Sequence, residues 1–340
     1  MSGPVSASPD TLLEVRDLTV EFRGARGAVV ANDRLSLSIR AGETLGIVGE
    51  SGSGKSVFCR ALLRLLPSPP ATQRADAILF EGRDLMRLSD IEMRRVRGQS
   101  IAMIFQNPMS CLNPVWPIGD QVSESLRVHK GMGQREARKT AIELLRRVGI
   151  PSPQTRVDEF PFQWSGGMMQ RAVIAMAMAG NPRLMLADEP TTALDVTIQD
   201  QILSLLLELQ RETGMALVLV SHDMGVIAET CDRVAVMYAG RIVELADTRT
   251  IFEAPAHPYT QALLRSIPRI EGREARLASI RGQPPDLARL GAGCSFAERC
   301  DRATAACRSR PIPLDSVATD HWAACIHADR IALVAGGSAS

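Results

Sequence analysis

The sequence predicts an α/β fold: an antiparallel β start, an α/β core, a helical block inserted near residues 107–172, and a return to α/β before a loop-rich tail. Two observations carry most of this. Short apolar runs of strand length, at Thr44–Val48, Ile101–Phe105, Arg183–Ala187 and Ala216–Ser221, lie between stretches of helical spacing. The first run leads into Gly49-Glu50-Ser51-Gly52-Ser53-Gly54-Lys55-Ser56. That octapeptide fits G-x-x-x-x-G-K-[ST], with a strand before it and a helix after it.

Leu12–Phe22 alternates as a strand does, and Val29–Ile39 ends in a similar alternation before the turn Arg40-Ala41-Gly42-Glu43. Helical spacing over Ser56–Leu66 stops at Pro67. Ile118–His129, Arg135–Val148, Gly167–Ala179 and Val196–Thr213 read as helices. Val234–Tyr238 and Arg241–Glu244, joined by Ala239-Gly240, read as a hairpin. The two Asn-Pro steps of Asn107-Pro108-Met109-Ser110-Cys111-Leu112-Asn113-Pro114 favour an extended, turn-rich loop over a helix. After about Asp247 the chain turns Pro-rich, with Pro255, Pro258, Pro268, Pro284, Pro285, Pro311 and Pro313 and little periodicity. This reads as a separate region held by its own cross-link.

The 340 residues suffice for one large domain plus an appendage. Aromatics make up only 4%, so aliphatic residues and Met must fill the core. The Met residues at 168, 169, 176 and 178 fit helix packing, and Cys59 and Cys231 fit small core residues. Arg94-Arg95 and Arg146-Arg147 read as solvated helix faces. A net charge of +1 argues against a basic nucleic-acid surface. No apolar run reaches the roughly 18–20 residues that span a bilayer. Met1–Asp10 has no signal-peptide h-region. The chain is therefore expected in the cytoplasm, serving any membrane from its surface.

The glycines Gly49, Gly52 and Gly54 let backbone N–H groups approach phosphate oxygens, with Ser51 in the same loop. The helix that follows adds its positive dipole end. Lys55 is placed to contact β- and γ-phosphates, and Ser56 to offer a hydroxyl to Mg²⁺. Asp188 ends the hydrophobic run Leu184-Met185-Leu186-Ala187 and suits a carboxylate that orients Mg²⁺ through its water shell. Glu189 follows directly and can polarise an attacking water. His222 follows the run ending at Val220, where a parallel strand would deliver it to the same edge as Asp188, within reach of a γ-phosphate. Ser165-Gly166-Gly167 precedes a helix and resembles an anion-binding N-terminus. Its helix is inserted between core strands, so a shared nucleotide across a dimer solves the geometry.

Phosphate loop, Ser165-Gly166-Gly167-Met168-Met169-Gln170 and Leu184–Glu189, in that order, resemble an ABC transporter ATPase subunit across roughly residues 11–250. The resemblance implies a P-loop NTPase core, RecA-like α/β plus an antiparallel β subdomain, and ATP with Mg²⁺ as ligands. It implies that Phe22 stacks on adenine and that Gln106, also near Mg²⁺, links the γ-phosphate site to membrane subunits. It makes Asp195, in Thr192-Ala193-Leu194-Asp195, the D-loop residue, and His222 the switch histidine. Trp164 stands where Leu is usual and Met168 where Gln is usual, which implies altered packing beside the Ser-Gly-Gly contacts.

The Asn-Pro segment after Gln106 is similar to that of dipeptide and oligopeptide importers, with Cys111 as a local departure. Phe252-Glu253-Ala254-Pro255-Ala256-His257-Pro258-Tyr259-Thr260, Ala262-Leu263-Leu264, Ser266-Ile267-Pro268 and Gly282-Gln283-Pro284-Pro285-Asp286 resemble the C-terminal extension of the same group, placed here at 251–330. Cys294, Cys300, Cys307 and Cys325 follow C-x5-C-x6-C-x17-C, without the close pairs of a zinc knuckle. The resemblance implies a [4Fe–4S] cluster there; zinc, with His321 and His327 as spare ligands, and unligated thiols are the alternatives. It further implies a second ATPase subunit forming a heterodimer, two transmembrane permease subunits, an extracytoplasmic solute-binding protein, and a peripheral place on the cytoplasmic face of the inner membrane. Peptides are the expected cargo. Nickel or another small solute, or a non-transport soluble ABC ATPase, are the rival readings.

Overall fold

Thr44–Val48 and Leu184–Asp188 read as continuous runs because every residue in them is buried. The computed structural model describes residues 10–24, 27–192, 194–267 and 280–328. Residues 1–9, Ala193, Pro268 and the last two residues of the expected extension lie outside these. Residues up to 86 together with those from 221 onward form one compact unit, and 87–220 form a second.

The first unit begins with β1 (Thr11–Gly24) and β2 (Gly27–Arg40), paired antiparallel with Leu13 opposite Ile39 and Val15 opposite Leu37. Then follow β3 (Thr44–Val48), α1 (Lys55–Leu62), β4 (Ala71–Arg74), β5 (Ala77–Phe80) and β6 (Arg83–Asp84). β4 and β5 pair antiparallel with β1, and β5 with β6. These three short strands, of at most four residues, left no readable period in the sequence. All five residues of β3 are buried. The helix after it ends at Leu62, not at Leu66. Arg64 takes a left-handed φ of 51°, so the chain turns away before Pro67 can act as the stop.

The second unit holds α2 (Asp90–Gln99), β7 (Ile101–Ile104), α3 (Pro108–Cys111), α4 (Ile118–Lys130), α5 (Gln134–Arg147), α6 (Pro153–Arg156), α7 (Gly166–Met178), β8 (Leu184–Asp188), α8 (Val196–Thr213) and β9 (Ala216–Ser221). β7, β8 and β9 are parallel, with Ala187 opposite both Ile104 and Leu219. α3 corrects the expectation of an extended loop at 108–111. Asn107 caps it, its side chain accepting from Met109 N at 3.0 Å, and Pro108 takes the first helical position. Asn at the cap and Pro just inside are helix-start signals, and here they outweigh the bias against helix before Pro. Met169 and Met178 are buried on α7, while Arg94, Arg95, Arg146 and Arg147 are exposed.

The chain returns to the first unit through α9 (Met224–Thr230), β10 (Arg233–Tyr238), β11 (Arg241–Asp247), α10 (Thr248–Glu253), α11 (Pro258–Arg265), α12 (Ala305–Ser309), β12 (Asp315–Ala318) and β13 (His321–Ala323). β10 runs parallel to β3 and antiparallel to β11. Their turn, Ala239-Gly240, has positive φ at both residues, as a two-residue hairpin with right-handed twist requires. The tail is loop-rich, yet it is not set apart: β13 pairs with β11, Leu245 opposite Trp322. Fully buried Glu244 on β11 anchors it, accepting from Ala256 N at 2.6 Å, His257 N at 2.9 Å and lying 2.8 Å from His321 Nε2. Burial holds the His257 imidazole down at about 4, so it stays neutral and its Nδ1 accepts from Tyr259 N. Cys59 and Cys231 are buried, and burial pushes the Cys231 thiol up to about 12. No described helix is long and apolar enough to cross a membrane.

Candidate functional site

The loop between β3 and α1 is built to present backbone N–H groups. Gly49, Gly52 and Gly54 have φ of 151°, 80° and 100°. A Cβ on Gly49 would stand 2.1 Å from Met237 O, so only glycine lets β10 lie this close. Neighbouring strands brace the loop: Gly240 N donates to Ser53 O at 3.0 Å, and Asn32 Nδ2 donates to Gly54 O at 3.1 Å. Lys55 is 4% exposed, and its ammonium donates to Gly49 O at 2.7 Å and Glu50 O at 3.0 Å. The charge is thus folded over the loop's own carbonyls, beside the glycines. Ser51 and Gly52 are exposed at the loop tip, and Ser56 is half-buried in the first turn of α1. This cradle of glycine backbone, a buried ammonium and a helix N-terminus fits a polyphosphate. Phe22, near the end of β1, is half-buried opposite Val29 and Ala71.

In the second unit, Asp188 ends β8 buried, opposite Val220. Glu189 follows with a left-handed φ of 47° and its N–H donating to Val220 O at 3.1 Å. A non-glycine residue held there, next to Pro190, is strained, and such strain concentrates at functional sites. Glu189 Oε2 accepts from Gln106 Nε2 at 2.8 Å and from Thr192 Oγ1 at 3.0 Å. Two residues picked separately in the sequence are therefore in direct contact, and Thr192 joins them without any motif having singled it out for this role. His222 is exposed immediately after β9.

Ser165 caps α7, its Oγ accepting from Met168 N at 3.3 Å, and Gly166 is exposed beside it. Asp195 caps α8 and accepts from Ile198 N at 3.0 Å. A Cβ on Gly167 would meet Ile198 Cγ2 at 2.8 Å, so these two helix starts are packed together. Trp164 explains its own departure: it is 5% exposed, and its indole N–H donates to Glu159 at 2.8 Å.

Cys294, Cys300, Cys307 and Cys325 line a single cavity of about 20 Å³, with His327 beside them. His327 Nε2 lies 3.7 Å from Cys307 Sγ. Burial, then the other thiols, push the Cys325 thiol up to about 11, and burial raises Cys294 and Cys300 as well. Among the described residues, no three His, Cys, Asp or Glu side chains are arranged to hold a metal ion. His321 is not among the residues that line this cavity; its Nε2 lies 2.8 Å from Glu244.

Sequence reasoning missed the residues that grip the phosphate loop from the tail. Glu50 N donates to Tyr259 Oη at 2.8 Å, and the Glu50 carboxylate pairs with Arg299 through two bonds of 2.6 and 2.9 Å. The separation of 249 positions leaves no local signal.

Comparison with known proteins gives two family matches. The model described as "ABC transporter" matches residues 32–192, and that described as "Oligopeptide/dipeptide transporter, C-terminal region" matches 243–307. The chain is 49% identical over 312 residues to the oligopeptide transport ATP-binding protein OppD of Bacillus subtilis, covering 92% of this chain and 87% of that one. It is 48% identical over 314 residues to the dipeptide transport ATP-binding protein DppD of Escherichia coli, covering 92% and 96%. A dimeric, post-hydrolysis structure of the ATP-binding cassette MJ0796 bound to ADP and Pi is similar with a TM-score of 0.62 and 28% identity, over 70% of this chain and 99% of that one.

Proposed function

Because the chain belongs to the ABC transporter ATPases of the oligopeptide/dipeptide branch, we propose that it binds and hydrolyses ATP to drive import of di- and oligopeptides through a membrane permease. The observation that carries the cargo class is the match of the tail, residues 243–307, to the oligopeptide/dipeptide C-terminal region.

The site residues take the following roles. Backbone N–H groups of Gly49, Ser51, Gly52 and Gly54 hold phosphate oxygens, Lys55 neutralises them, and Phe22 stacks on the base. Glu189, held by Gln106 and Thr192, takes a proton from the attacking water. His222 donates to the γ-phosphate. Ser56 and Gln106 would hold Mg²⁺, oriented by Asp188, and the ion supplies charge neutralisation at the phosphates. Ser165, Gly166, Gly167 and Asp195 serve the nucleotide of a partner ATPase, favoured here as a different subunit. The exposure of Ser165, Gly166 and Asp195 at two packed helix starts supports this.

Two permease subunits are the further partners, with a solute-binding protein reached through them, at the cytoplasmic face of the inner membrane. Support comes from large apolar side chains left on the surface of the second unit: Met109, Val115, Trp116 and Phe162 are 69%, 72%, 47% and 75% exposed. Phe160 and Phe162 stack at 5.6 Å. Such rings in water mark an interaction surface. Uptake of labelled di- and oligopeptides, with nickel alongside, tests the cargo. Cells lacking the chain are expected to lose peptide uptake and to regain it when the chain is restored. Unchanged peptide uptake with a nickel defect would replace the peptide reading.

The four tail thiols are further proposed to ligate a [4Fe–4S] cluster, with zinc as the alternative. Their convergence on one cavity is the support. A cavity of about 20 Å³ holds little more than a water, so the side chains must spread to accept a cluster. Anaerobically purified protein is expected to carry iron and acid-labile sulfide in about equal amounts. Zinc without iron would remove the cluster.

A further inference from the structure

Glu50 occupies a variable position of the phosphate-loop motif, which makes no demand for a carboxylate there. Yet this side chain is 23% exposed and gripped from the C-terminal extension. Arg299, whose side chain is 6% exposed, donates Nη1 to Glu50 Oε2 at 2.6 Å and Nη2 to Glu50 Oε1 at 2.9 Å. The rest of the guanidinium is also committed: Nε donates to Arg281 O at 2.8 Å and Nη1 to Tyr238 Oη at 3.1 Å. Its carbon lies 5.8 Å from the ring centres of both Tyr238 and Phe296. Tyr259 packs in the same aromatic group, 4.5 Å from Tyr238 and 5.3 Å from Phe296, and its hydroxyl accepts the Glu50 N–H. Pro284, Pro285 and Leu287 close a small cavity against the loop at Glu50–Ser53.

The side chain, N–H and carbonyl of Glu50 are thus all engaged. The carbonyl accepts from Lys55 Nζ at 3.0 Å and from Ser53 N at 3.2 Å. Displacing Glu50 therefore displaces one of the carbonyls that aim the Lys55 ammonium, the other being its neighbour Gly49 O at 2.7 Å. A loop with three glycines has wide conformational freedom, and fixing it before the ligand arrives raises affinity by removing an ordering cost. A planar, bidentate fork suits this task better than a flexible ammonium.

We infer that Arg299 is a positioning residue for the phosphate loop, holding it through Glu50 in the shape that receives the nucleotide. This rests on the reading of that loop as the ATP site. The rival is a purely structural role, in which the pair fastens the tail and the loop is indifferent to it.

The test is a titration of the full-length chain with a fluorescent ATP analogue and Mg²⁺, with thermal melting in parallel. The variants are Arg299→Lys, Glu50→Gln, the two together, and Lys55→Ala as a reference. Each conservative single variant is expected to weaken the analogue about tenfold, and the double variant by little more than either alone, since they break one contact. The KM for ATP should rise while kcat at saturation stays within about twofold. Tyr238→Phe deletes only the hydroxyl shared by Arg299, leaves the ion pair, and should weaken binding about threefold. If the Arg299 and Glu50 variants melt earlier but bind as the native chain does, while Lys55→Ala fails to bind, the positioning role is wrong and the pair only fastens the tail. Native affinity in Lys55→Ala would instead remove the loop as the nucleotide site, and the inference with it.

Discussion

Glu189→Gln should bind ATP as the native chain does and turn it over about 10² to 10⁴ times more slowly, the range that a positioned general base contributes. The geometry makes this a clean substitution. Glutamine keeps the shape of the side chain, and its amide oxygen can still accept from Gln106 Nε2 and Thr192 Oγ1, which now reach Glu189 Oε2 at 2.8 and 3.0 Å. The φ of 47° belongs to a backbone whose N–H is bonded to Val220 O at 3.1 Å, a bond that the side-chain change leaves in place. What disappears is the ability to take a proton. If ATP closes two subunits and hydrolysis reopens them, the variant should accumulate as a nucleotide-loaded dimer. Single-turnover hydrolysis and the elution volume with ATP measure both effects. Native-like turnover would remove Glu189 from the role of base, and the Gln106 contact would then need another account.

The core of this fold was legible because its signals are local. β3 is five buried residues followed at once by the glycines that demand positive φ, so strand, loop and helix start are all written within about 20 consecutive residues. The Ala239-Gly240 turn was readable for the same reason. Val196–Thr213 was read with the ends it has, and the structure shows Asp195 as its cap and Gly214 as a left-handed stop. Boundaries failed where a neighbour decides them. The spacing carries α1 to Leu66, but the chain leaves the helix at Leu63, and Pro67 is only the more visible stop. At Asn107-Pro108 two rules conflict, and the cap won. The tail was read as separate because the partners that tie it down, Glu244 with His321 and Glu50 with Arg299, are 77 and 249 positions apart. Nothing in a Pro-rich stretch announces a strand as short as His321–Ala323, whose stability comes from the sheet edge it completes.

Lys55→Ala should cost about 3 kcal/mol of nucleotide binding, roughly a hundredfold in Kd, by removing a unit charge that meets phosphate at intermediate dielectric. The structure adds a second consequence. The ammonium now bridges Gly49 O and Glu50 O at 2.7 and 3.0 Å and reaches Ser53 Oγ at 3.4 Å. Without it those acceptors lose a charged donor in a site where Lys55 is only 4% exposed. An unmet buried acceptor costs about 1–3 kcal/mol, so the variant should also melt earlier with no nucleotide present. The two losses have different origins and can be separated. Lys55→Met keeps the apolar stem and its packing while deleting the charge. If charge at the phosphates dominates, both variants should bind equally badly, with Met the more stable. If the ammonium acts mainly by shaping the loop, affinity should instead follow melting temperature across the pair, and added ATP should restore neither. Unchanged affinity in both variants would overturn the assignment of Lys55 to the phosphate site.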